Sequence, residues 1–154
     1  MEAVWPDDLI RERARKSWRE GLVIYGIAYL TCLVVMGGLD YLWLSHTSAP
    51  LYHRDLGPLL AENPNMTVAV IFYLGYAAGI VFFAVRPALA AGDWRPAILN
   101  GALFGLFAYA TYDLTNFATM KVWTLRVTVL DIAWGMFLSA AAASAGAIAA
   151  LKIR

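Results

Sequence analysis

Four long apolar runs, set apart by polar joints, make up most of the chain. A helix needs about 20 mainly apolar residues to cross the hydrocarbon core of a bilayer. Four stretches meet that length: about Leu22–Leu44, Met66–Val85, Ala97–Thr119 and Val127–Leu151. The joints shrink along the chain, from Ser45–Asn65 through Arg86–Pro96 to Met120–Arg126, and none is large enough to fold alone. The pattern predicts an all-α fold, a four-helix transmembrane bundle over residues 22–154 that follows a charged segment over residues 1–21.

That opening segment has a pattern of its own. Asp7 or Asp8 can cap a helix carrying Leu9, Ile10, Ala14 and Trp18 on one side, with basic residues around them. It predicts a short interfacial helix on the cytoplasmic leaflet, or a charged tail that only sets topology. The first apolar run is too long for a signal-peptide core and holds Asp40 near its end, which argues against cleavage.

Composition agrees with the pattern. The chain is 61% hydrophobic and 15% charged, where a soluble domain has roughly half and a quarter. Lys and Arg placement then orients it. The opening segment, the second joint and the C-terminus hold Arg11, Arg13, Arg15, Lys16, Arg19, Arg86, Arg95, Lys152 and Arg154; the opposite side holds Arg54, Lys121 and Arg126. The positive-inside rule puts both termini in the cytoplasm, and so predicts a multi-pass membrane protein. A net charge of +1 offers no face for nucleic acid. Cys32, the one cysteine, can form no intrachain disulfide and reads as a small packing residue.

Chemistry concentrates in three acids. Asp40, Asp113 and Asp131 are the only carboxylates inside the apolar runs, and helix counting puts all three toward the non-cytoplasmic side. A charge at mid-membrane costs about 2.5–3.5 kcal/mol on insertion scales. Asp131 follows a helix start, where the dipole favours it; Asp40 and Asp113 precede helix ends, where it opposes them. Tyr109, Asp113 and Asn116 share a face of the third helix, flanked by Tyr112 and Thr115. Asp131, Trp134 and Gly135 share one on the fourth, and Gly37, Asp40 and Trp43 one on the first. The second adds Tyr73 and Tyr76. These residues predict an outward-side pocket around Asp113, with Asp40, Tyr109, Tyr112, Asn116, Asp131 and Trp134 as ligand-binding candidates. The same groups could instead satisfy one another and lock the bundle.

Other chemistry finds little support. His46 and His53 lie on the same side as the acids, but no HxH or HxxxH spacing exists, so no metal is assigned. Arg54 is placed to meet one of the aspartates. No catalytic or cofactor motif stands out, which leaves the cofactor unknown and enzymatic activity open. Gly101 and Gly105 form a GxxxG step, and Ser139–Ala150 gives the fourth helix a small-residue face. Both fit close packing within the bundle, against a second copy, or in a larger membrane complex.

The blocks LDYLWL (Leu39–Leu44), YHRDLG (Tyr52–Gly57), YATYDLTN (Tyr109–Asn116) and VTVLDIAWG (Val127–Gly135) carry a resemblance, extended by FYLGYAAGIVFFAVRPAL from Phe72. The chain resembles, over about Gly26–Ala150, a bacterial family of predicted small inner-membrane proteins catalogued as a domain of unknown function. The resemblance implies four membrane helices and a shared polar set of Asp40, Asp113, Asn116, Asp131 and Trp134. It implies no substrate. Three functions fit the sequence: binding or passage of a small polar or amphipathic ligand or a cation, a membrane-embedded enzyme acting on a lipid or isoprenoid, and an accessory or assembly subunit.

Overall fold

The computed structural model describes the backbone from Asp7 to Arg154 and the side chains from Arg11 onward, Pro58 excepted. Among the described residues all regular structure is helical. Four long helices carry the fold: α1 (Asp7–Thr47), α2 (Met66–Ala91), α3 (Arg95–Thr119) and α4 (Leu125–Lys152). Three of them, α1, α2 and α4, are long and apolar enough to cross a membrane. At 25 residues α3 also has the length, with its apolar content diluted by Asn100, Tyr109, Tyr112, Asp113 and Asn116.

The charged opening is helical from Asp7 and runs into the first span without a break. From Asp7 onward it is therefore continuous with α1. No proline interrupts residues 7–47, and Ala, Arg, Lys and Glu there favour helix. Forty-one residues at 1.5 Å each make a rod of about 60 Å, roughly twice the hydrocarbon thickness. Arg11–Glu20, all exposed, lie on the excess length.

Two prolines explain the irregular turns. Pro87 has no N–H for the carbonyl one turn back and would clash with it. The helix relaxes into a wider π turn over Val81–Val85, with the Arg86 N–H donating to the Val81 carbonyl. Pro50 lies in a similar π turn, Ser48–His53, that ends the straight run of α1. The first joint then folds back across the outer end of the bundle. Leu51 and Leu56 bury themselves with Val127 of α4, ringed by Trp43, Tyr52 and Trp123.

Packing centres on α4, whose small residues admit a neighbour on each side. Against α3, a Cβ on Gly105 would stand 2.1 Å from the Gly135 carbonyl oxygen, and one on Gly101 would stand 2.7 Å from that of Ser139. Only hydrogen fits there. The GxxxG step thus serves contact within the bundle. Against α1, a Cβ on Gly146 would stand 2.6 Å from the Cys32 sulfur, and that thiol contacts the Ala142 carbonyl at 3.3 Å. Outward, Val34, Ile71, Leu99 and Phe107 are each more than 60% exposed, an apolar surface suited to lipid.

Gly105→Val should lower stability by about 1–3 kcal/mol or prevent assembly, since overpacking cannot be relieved against backbone. Gly38→Ala, which meets nothing within 4 Å, should leave it intact. Thermal unfolding in detergent reads both, and equal midpoints for the two variants would refute the close α3–α4 contact.

Candidate functional site

Asp40, Asp113 and Asp131 lie six or seven residues inside the ends of α1, α3 and α4 that face the first and third joints. Antiparallel packing brings those ends together. Asp40 accepts from the Tyr73 hydroxyl of α2 on one oxygen and from the Trp134 indole N–H of α4, at 3.0 Å, on the other. Asp131 accepts from the hydroxyl of Tyr52, which the folded joint supplies. The Trp43 indole N–H in turn donates to the Tyr52 oxygen at 3.0 Å. Trp43 and Trp134 stack with centroids 4.5 Å apart and planes within 9°. Donors from α2, α4 and the joint thereby converge on two carboxylates, and α1 supports the joint's donor through Trp43.

Between those carboxylates lies a cavity of about 240 Å³, lined by Asp40, Trp43, Leu44, Tyr52, Tyr109, Asp131 and Trp134. Tyr109 is held there by a missing side chain: a Cβ on Gly135 would stand 2.2 Å from its ring. A second cavity of about 250 Å³ shares Tyr52 and Asp131 with the first and continues along Tyr112, Asn116 and Trp123 beneath the joint. Tyr52 and Asp131 therefore belong to the walls of both. Among the described residues, no Lys, Arg or His lines either one.

The sequence candidates thus divide. Asp40, Tyr109, Asp131 and Trp134 share the first cavity, while Tyr112, Asn116 and Asp131 share the second. Asp113 lines neither. It is fully buried, and neither of its oxygens has a hydrogen-bond partner among the described residues. An ionised carboxylate so placed is costly, so a proton, a cation or water must complete it. The Trp123 indole N–H is likewise buried without an acceptor.

Two sequence expectations need correcting. Arg54 reaches none of the three intramembrane acids; it is exposed and pairs with its neighbour Asp55 at 3.7 Å. Adjacent residues on an exposed turn meet without ordering a long side chain inward. Asp131 lies in the second turn of α4, since Thr124 accepts from the Val127 N–H and starts the helix at Leu125. Its support is the Tyr52 hydroxyl more than the helix dipole, which fades beyond the first turn. Three contributors fall outside the candidate set: Trp43 and Tyr73, both visible by helical spacing, and Tyr52, which no periodicity marks. Among the described residues no three of His, Cys, Asp and Glu gather as a metal set.

A family model described as Predicted membrane protein (DUF2177) matches residues 25–148. The chain belongs to this family. No curated protein and no solved structure matches it. The DUF2177 match takes in every residue lining the two cavities, and begins after the exposed basic turns of α1. Its description places the family in a membrane and names no activity.

Tyr52→Phe and Tyr73→Phe each remove the donor to a half-buried carboxylate, and each should cost about 1–3 kcal/mol. Tyr41→Phe, at a side chain 73% exposed, should cost nothing measurable. Chemical denaturation of the three variants in one detergent makes the comparison; three equal midpoints would dissolve the network as a stabilising unit.

Proposed function

We propose that this membrane protein binds a small organic cation, an amine or ammonium, in the cavity between Asp40 and Asp131. We further propose that it does so in a bacterial inner membrane, with its basic end in the cytoplasm by the positive-inside rule. One observation carries the reading. Two carboxylates and four aromatic side chains line a single cavity, with no basic residue among its described walls. Carboxylates supply the opposite charge, and the faces of Trp and Tyr attract cations by their quadrupoles. A volume of about 240 Å³ falls below the ~300–1,000 Å³ of drug-sized pockets, so the ligand is small. Hydrated metal ions suit the walls less well, because they call for several oxygen ligands. The second chamber, sharing Tyr52 and Asp131, supports passage as an extension of binding.

A competing reading has support of its own. Both oxygens of Asp40 already have donors, and Asp131 has Tyr52. A satisfied network can serve only to fix helix rotation, as an accessory or assembly subunit would need.

Thermal shift with tetramethylammonium, ethylammonium and sodium separates the two. The organic cations should raise the wild-type midpoint, and Asp40→Asn and Asp131→Asn should abolish that shift. Asp113→Asn, outside the cavity, should retain it. A wild type indifferent to all three ions, with both Asn variants destabilised, would favour the structural lock.

A further inference from the structure

A different ligand class is written at the opposite end of the helices. Between α1 and α2 runs an open cleft of about 700 Å³, walled by Leu22, Gly26, Ala78, Val81 and Phe82 and ending at Arg86. Gly26 faces open space in it: a Cβ there would meet nothing within 4 Å. The π turn at Val81–Val85 forms the facing wall. At its charged end the cleft meets a second hollow of about 250 Å³, which shares Tyr25 and Arg86 and adds Arg154. The Arg154 guanidinium is fixed at that rim by donating to the Leu89 carbonyl. The Arg86 guanidinium lies 5.3 Å over the Phe82 ring, so it overhangs the apolar wall. No acidic residue is among the described walls of either hollow.

An apolar slot that ends at one guanidinium group, with a second in the adjoining hollow, has a definite complement. Guanidinium matches phosphate by charge and by paired donors, and the slot matches a hydrocarbon chain. Both guanidinium groups stand near helix ends, where lipid phosphates lie. We propose that the α1–α2 cleft seats an acyl chain of an anionic phospholipid whose phosphate is held by Arg86 and Arg154. A free phosphate would leave the larger, apolar part of the cleft unfilled. The site is separate from the cavity at Asp40 and Asp131.

Native mass spectrometry tests this on protein taken from bilayers with equal phosphatidylglycerol and phosphatidylcholine. The wild type should retain one phosphatidylglycerol at least fivefold over phosphatidylcholine. Arg86→Gln combined with Arg154→Gln should erase the preference. Gly26→Leu, whose side chain enters open space, should lower retention of both lipids. Unfolding midpoints of the variants, expected within a few degrees of wild type, separate lost binding from lost folding; if Gly26→Leu fails to fold, the arginine pair still decides. Selectivity that survives the double variant would overturn the proposal. So would displacement of the lipid by excess inorganic phosphate, or a dimer of the chain that Gly26→Leu abolishes.

Discussion

Everything at the polar end depends on how closely α3 approaches α4. At Gly105 the two backbones meet with no room for a methyl group, and this fixes the rotation of α3 about its axis. One turn farther on, Tyr109 lies across Gly135 and points its ring at the Asp40–Asp131 cavity. Another turn on, Asp113 falls on the same stripe and is fully buried. The contact that shapes the cavity thus also removes Asp113 from it. Moving Asp113 into the cavity would require turning α3, and the glycine contact opposes that.

The bundle changes character along its length for the same reason. Its basic half is closed by alanine and glycine: Ala142, Ala143, Ala147 and Ala150 of α4 are fully buried, with Ala28 and Cys32 of α1 packed alongside. Small residues let the α1 and α4 backbones approach closely there. Its other half is filled by Trp43, Tyr52, Tyr109 and Trp134, which hold the helices apart and cannot tile the gap completely. The Asp40–Asp131 cavity lies where ring packing replaces backbone packing. The joint from Ser48 onward then covers that wider end, anchored by Leu51 and Leu56 on Val127.

The helices were legible because lipid demands long apolar runs and tolerates few exceptions. Counting from helix ends also set the three acids at one depth. Depth is a property of one helix, readable from its own residues. Facing is a property of a pair, and here the signals divided. Asp40 and Trp134 meet as their spacing suggests, because α1 and α4 interlock through Cys32 and Gly146. Asp113 looked central because its neighbours Tyr109 and Asn116 share its face, yet that face is broad, and only its flanks reach the cavities. Tyr52 lies in a joint whose path is set by Pro50 and by contacts with α4, neither of which leaves a period in the sequence. The continuity of α1 was missed for a simpler cause. A change in polarity marks where a helix leaves the lipid, not where it ends.

The formal charge of +1 conceals a strong separation along the bundle. Most of the basic residues gather at one end, and Asp40, Asp113 and Asp131 sit toward the other. Ordinarily a buried acid is paired within its own fold, because an internal cation neutralises it at every moment. Here Arg54, the basic residue of the joint, pairs with Asp55 instead. The donors that reach Asp40 and Asp131 are phenol and indole, which carry no charge. Hydrogen bonds of that kind orient a carboxylate and soften its burial, but they do not cancel its charge. Lys121 and Arg126 lie at the same end, yet among the described residues no basic side chain lines the cavity between the two acids. On the reading proposed above, that uncancelled charge is what lets a hydrogen-bonded cluster, sufficient to hold helices together, also receive a positive ligand.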